Sequence, residues 1–149
     1  MHIYGKKDRK SRGTAALELG IAGPLLILMV IGAIDFGRIF YQAVTIANAA
    51  ETCAFYGTQN NVKSGHFSGM QQAARDYAQS IGTITATGDR FCACPDGNTV
   101  DCVTGTCAGY GPPRVYARCL VEKQFRLIAP IPEIPNPVTV RKRVVMRVQ

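Results

Sequence analysis

Thr14–Ile34 reads TAALELGIAGPLLILMVIGAI, 21 residues containing one charge, Glu18. At about 1.5 Å per residue, a helix of this length spans roughly 30 Å, the thickness of a bilayer's hydrocarbon core. Lys6, Lys7, Arg9, Lys10 and Arg12 precede it, opposed only by Asp8. A basic flank of this kind stays on the cytoplasmic side. The expectation is therefore a single-pass chain with its amino end inside and the remainder beyond the inner membrane. Residues 1–13 form the basic leader, 14–34 the membrane helix, 35–57 its extramembrane continuation and 58–149 a periplasmic head.

Two other readings of the same stretch fit less well. The apolar core of a secretory signal is about 7–15 residues and ends near a small-residue cleavage site. Here the nearest such site, Ala47-Asn48-Ala49, lies beyond Asp35 and Arg38. A buried core helix is disfavoured by both the length and the basic flank.

The whole chain has 149 residues, a net charge of +7, six Cys, no Trp and two His. Such a basic balance invites a nucleic-acid role. Five of its 17 cations and one of its 10 anions lie in the first twelve residues, so only +3 belongs to the rest. Most of the excess is thus topogenic, and no nucleic-acid partner is expected. Catalytic signatures are also missing: there is no G-x-S-x-G, phosphate loop or H-E-x-x-H, and His66 is the only histidine beyond the leader. The expectation is a non-enzyme without cofactor or metal.

Glu18 is the sharpest local feature. A carboxylate inside a membrane span costs at least ~2.5 kcal/mol on insertion scales and is by default functional. It stands five residues after Gly13. A cut between Gly13 and Thr14 would leave Glu18 one helical turn from a new amino terminus, where a neighbouring subunit's amine can neutralise it in low dielectric. The plainer alternative is snorkelling into the headgroups. Pro24 removes one helical hydrogen bond and is expected to kink the span, and Gly20 and Gly23 let helices approach closely. Asp35 and Arg38, three apart on one helix face, mark the exit from the bilayer. Ile39, Ala43, Ile46, Ala47, Ala50 and Ala54 then recur at helical spacing, extending the helix to Tyr56.

These residues resemble the processing region of type IV pilin-like proteins, and in detail the TadE-like minor pseudopilins of the tight-adherence (Tad/Flp) pilus system. That family shows G-x-x-x-x-E-F-A-L-x-L-P, leucines, then G-x-x-[ED]-F-G-R. Here the run is Gly13-TAAL-Glu18-LGIAG-Pro24-LLILMVI-Gly32-Ala-Ile-Asp35-Phe36-Gly37-Arg38. Asn48-Ala49-Ala50-Glu51-Thr52-Cys53-Ala54 resembles a following N-A-A-R-x-G-A segment, and Val144-Val145-Met146-Arg147-Val148 resembles the family's last strand. Leu19 replaces the usual aromatic, which bears on processing efficiency, and Glu51 replaces a frequent Arg. The resemblance implies cleavage after Gly13 by a prepilin peptidase and insertion in the bacterial inner membrane. It also implies partners among other pilins and pseudopilins and at the inner-membrane assembly platform, and a role as a minor subunit in assembling an adhesive surface pilus. The rival from another class is an uncleaved envelope protein whose disulfide-rich head binds a ligand or surface.

The expected fold is α+β and pilin-like: a helical spine, a small helix and an antiparallel sheet. Gly57–Gly69 reads as a loop. Ser68 and Gln71 resemble a capping box opening a helix with Met70, Ala73, Ala74, Tyr77, Ala78 and Ile81 on one face, closed by Gly82. Val115–Leu127 and Val138–Val148 alternate as strands, with Thr83–Thr87 a possible third. Pro130–Pro137 is a stiff connection. Arg141, Arg143 and Arg147 read as a solvated strand face or protection of an exposed edge.

Cys92, Cys94, Cys102 and Cys107 fall in the Gly- and Asp-rich segment CACPDGNTVDCVTGTC. A C-x-C start is poor zinc spacing, whereas an external compartment favours disulfides. Four Cys allow three pairings, with Cys92–Cys94 disfavoured by strain. Cys53 and Cys119 either pair, tying spine to sheet, or stay as buried thiols.

Overall fold

The computed structural model describes residues 10–129 and 133–149, with side chains from residue 13 onward. The first nine leader residues and the Pro130–Pro132 part of the proline-rich connection lie outside the described residues.

Helix α1 runs unbroken from Lys10 to Thr58, 49 residues with Pro24 inside it. Its two halves obey different rules. From Gly13 to Ile34 no side chain is buried, and Leu17, Ile21, Leu25, Leu28 and Met29 are all exposed. By length and composition this helix can cross a membrane. From Thr45 onward one face is closed: Ile46, Ala49, Ala50, Cys53 and Ala54 are fully buried.

A sheet of order β2-β1-β3-β4, antiparallel throughout, covers that face. Its strands are β1 (Thr85–Ala93), β2 (Thr99–Val100), β3 (Arg114–Phe125) and β4 (Val138–Arg147). Period-two burial on β3 turns Ala117, Cys119 and Val121 towards α1. On β4, Val140, Val144 and Met146 pack on the same core. Helix α3 (Phe67–Tyr77) adds Met70 and Ala74, and Ala78 follows. The α+β architecture of spine, small helix and antiparallel head is as the sequence implies.

Small residues hold the layers close. A Cβ on Gly57 would lie 2.8 Å from the Ala117 Cβ and about 3 Å from the end of Met70. One on Gly88 of β1 would lie 3.0 Å from the Met70 Cβ. Both glycines sit where backbone meets a neighbouring layer.

Several local expectations need correction. The segment 57–69 is not all loop: α1 continues to Thr58 and a one-turn helix α2 (Asn61–Ser64) follows. Asn60 caps it, its side chain accepting from the Lys63 N–H at 2.8 Å. Ser68 and Gln71 form no capping box. Helix α3 starts one residue before Ser68, with His66 at the cap position and no side-chain cap bond. Its C-terminus comes at Tyr77, and Gly82 (φ 80°) instead closes the 3-10 turn Gln79–Ile81. Tyr77 is exposed rather than on the buried face. Strand β3 stops at Phe125, so Leu127 belongs to the connection, its N–H donating to Asn136 Oδ1 at 3.3 Å. The third strand starts two residues later than expected and runs six residues further, reaching Ala93. Cys92 is therefore on a strand and not in a loop.

Edge strand β4 carries exposed Arg141, Lys142, Arg143 and Arg147. Lys142 stands opposite the buried Val121, in register with the inward face. Cations along an edge, one of them in an inward register, disfavour pairing with another strand.

Candidate functional site

The residues expected to form a processing site lie near the start of α1. Gly13, Thr14 and Glu18 are all exposed on the same helix. Among the described residues nothing lies within 4 Å of a Cβ placed on Gly13, and the same holds at Gly20, Gly23, Gly32 and Gly37. Glycine costs a helix about 1 kcal/mol relative to alanine. Contacts within the described residues do not require it at these five positions, unlike at Gly57 and Gly88. Their small surfaces are available to something outside the chain. Pro24 lacks the N–H that the Gly20 carbonyl would receive at i−4, so that carbonyl faces an exposed, small-residue stretch.

At the other end of the apolar run, the structure gives Asp35 a role that its sequence spacing does not suggest. The expected Arg38 partner is near, at 3.7 Å. Yet Asp35 is only 6 % exposed, and its carboxylate faces the main chain that leaves β3. It accepts from the Ile128 N–H at 2.9 and 3.2 Å and from the Ala129 N–H at 3.3 Å. A buried carboxylate must be hydrogen-bonded, and amide donors with no ladder partner need an acceptor. Each satisfies the other across 93 residues of sequence. Arg38 lies over the Phe125 ring, 5.0 Å from its centroid.

The six cysteines form three disulfides: Cys53–Cys119, Cys92–Cys102 and Cys94–Cys107. The first joins the spine to the central strand with a Cα separation of 6.0 Å. The other two follow from the β1–β2 hairpin. Cys92 pairs opposite Val100, which places Cys102 diagonally across the turn. Cys107 then returns to Cys94 beside its own bridge to Gly111. Between them Asp101 holds a tight turn, its Oδ1 accepting from the N–H groups of Val103 and Thr104 at 2.8 Å. Those backbone bonds, Thr104 first, and the Thr104 hydroxyl hold the Asp101 carboxyl below the usual carboxylate range. No group of three or more potential metal ligands exists among the described residues.

On the sheet's outer face Arg118 makes a forked contact with Asp89, Nε to Oδ1 at 2.8 Å and Nη2 to Oδ2 at 2.5 Å. The hydrogen bond to Asp89, and then its charge, raise the guanidinium's pKa. Arg118 also covers Phe91, whose ring stacks on Tyr116 at 5.3 Å. These contacts rivet β1 to β3 and assemble no reactive centre.

A continuous apolar helix that opens on Gly13 and Glu18 and carries an acidic exit residue is a pattern shared with known proteins. Residues 13–54 match the model of the TadE-like protein family. The matched segment takes in the whole apolar run, Asp35, Arg38 and the stripe that the sheet covers, ending one residue after Cys53. No curated protein and no solved structure matches the chain. The TadE-like segment is thus the spine itself, and the disulfide-bonded part of the head lies beyond it.

Proposed function

We propose that this chain is a minor pilin-like subunit required to assemble a Tad/Flp-type adhesive pilus. In this reading a prepilin peptidase cuts between Gly13 and Thr14, and the chain is inserted in the bacterial inner membrane before assembly. The leader lies in the cytoplasm and the head, residues 58–149, in the periplasm. Other pilins and pseudopilins and the assembly platform are its partners, and its role is structural. The observation that carries the reading is a glycine, followed five residues later by the only acid of the apolar run, on an exposed helix matched by the TadE-like family. Among the described residues Gly13 has no packing partner that demands a glycine. Recognition by a processing enzyme supplies a reason for it.

Glu18 lies one turn from Thr14, so in an assembled bundle its carboxylate can meet the new amine of an adjacent subunit. The exposed glycines and Pro24 suit a helix that must leave lipid and pack against other helices. Mass spectrometry of the chain recovered from its own host's membranes tests the reading. The expected dominant species begins at Thr14. A dominant species beginning at Met1 would refute it in favour of an uncleaved, single-pass envelope protein.

A further inference from the structure

Four contacts between α1 and β3 descend in step. Gly57 meets Ala117, Cys53 is bonded to Cys119, Arg38 covers Phe125, and Asp35 holds Ile128 and Ala129. From Cys53 to Asp35 the helix travels about 27 Å at 1.5 Å per residue. From Cys119 to Ile128 extended chain travels about 30 Å at 3.3 Å per residue. The two paths are matched, so β3 runs antiparallel to the spine and arrives level with the residue that follows the apolar run. Ile128 and Ala129, which leave β3, are therefore at the height where the helix enters its apolar stretch.

The described part of the turn between β3 and β4 has an unusual surface. Connections between strands are commonly built of polar residues, glycine and proline. Here Ile128 is 57 % exposed and Ile134 is 43 % exposed, and Phe36, the residue after Asp35 on α1, is 72 % exposed. Arg126, two residues before Ile128, is exposed as well, and Arg38 lies over Phe125 at the end of β3. Apolar side chains rimmed by cations fit the boundary between headgroups and acyl chains. Asp35 fixes the height of Ile128 by binding the Ile128 and Ala129 amides to the helix.

We infer that Ile128 and Ile134, between β3 and β4, make a second membrane contact, seated in the interfacial layer of the bilayer that α1 crosses. The head then does not swing freely on its spine: this part of it rests on lipid with Asp35 as the strut. This inference rests on the membrane-anchoring part of the reading above and is independent of cleavage.

The chain contains no Trp, so single Trp substitutions give unambiguous depth probes. The full chain is reconstituted in phosphatidylethanolamine–phosphatidylglycerol vesicles whose acyl chains are brominated near the headgroup. Ile27→Trp reports the span, Ile128→Trp and Ile134→Trp the turn, and Tyr110→Trp an exposed position in the disulfide region. The expectation is that bromination lowers emission about twofold or more at the span and at both turn positions and leaves Tyr110→Trp unchanged. If Ile27→Trp is quenched while neither turn position exceeds Tyr110→Trp, the inference is overturned and anchoring stands. An absence of quenching at Ile27→Trp overturns the anchoring itself and the inference with it. Blue-shifted but unquenched emission at the turn would assign the patch to a protein contact, which also overturns it.

Discussion

Removing the Cys53–Cys119 disulfide, as Cys53→Ala with Cys119→Ala, should be the most damaging loss of any single crosslink. The bond closes a loop with a sequence separation of 66, against 10 and 13 for the other two. In the loop-entropy treatment this corresponds to about 4 kcal/mol for the long loop and about 3 kcal/mol for each short one. The two short loops overlap, so deleting Cys92–Cys102 leaves the segment still closed by Cys94–Cys107, and its real cost is smaller still. Both Cys53 and Cys119 are also fully buried, so alanine leaves small voids that add to the loss. For a head of roughly 90 residues, each kcal/mol corresponds to about 4–8 °C in Tm. Thermal unfolding of the full chain in detergent, followed by near-UV circular dichroism, measures the difference. The expected fall is on the order of 15 °C or more for the long crosslink. A larger fall for the Cys92→Ala/Cys102→Ala variant would refute the view that the spine–sheet tie dominates.

Asp35→Ala leaves two main-chain N–H groups without their acceptor, at a cost of about 1–3 kcal/mol. Asp35→Asn, which keeps one acceptor oxygen, should recover part of it, and amide hydrogen exchange at Ile128 and Ala129 should rise in the same order. Gly57→Ala should destabilise by about 1–3 kcal/mol despite its better helix propensity, because the new methyl meets the Ala117 Cβ. Gly20→Ala, where nothing is within 4 Å, should leave the head's unfolding midpoint unmoved. Asp101 has a folded pKa below its ordinary value of 3.8, so its contribution to the turn is present above that value. It is lost as pH falls through the lowered folded pKa. Proteolysis of the 96–106 segment, normalised to a distant site, should therefore be flat above about pH 5 and rise below pH 4; a rise near neutrality would contradict this.

What could be read from the sequence was whatever has a period. The apolar run with its basic flank, the Ala-rich stripe to Ala54, and the alternation of β3 and β4 each repeat often enough to identify themselves. Strand β1 does so only at its start, within Thr83–Thr87. Beyond that its sequence TATGDRFCA has a glycine and an aspartate at its centre, which break the alternation. It is a strand because nine residues pair with β3 and because Gly88 lets Met70 approach. The disulfide connectivity depends on the part of β1 beyond Thr87, since only the hairpin register sets Cys102 diagonal to Cys92. For Asp35, helix spacing offers only Arg38 as a partner. Its actual donors are main-chain N–H groups, which every residue but proline has, so no side-chain pattern points to them. For Ser68, a capping spacing was present while the helix began one residue earlier.

The stripe of small residues on α1 explains how one helix serves two environments. In lipid, bulky Leu, Ile and Met can point in every direction because the solvent is apolar all round. Under the sheet, the buried positions Ala49, Ala50, Cys53, Ala54 and Gly57 are all small. Disulfide geometry demands Cα atoms within about 7 Å, and Cys53 and Cys119 stand at 6.0 Å. A leucine in place of Ala50 or Ala54 would hold the strand away from the helix and pull that pair out of bonding range. Losing that closeness would also draw the Ile128 and Ala129 N–H groups away from the Asp35 carboxylate. The small-residue lane, the crosslink and the Asp35 strut are therefore one mechanical unit, which sets the height of the head above the apolar span to within a residue or two of helix.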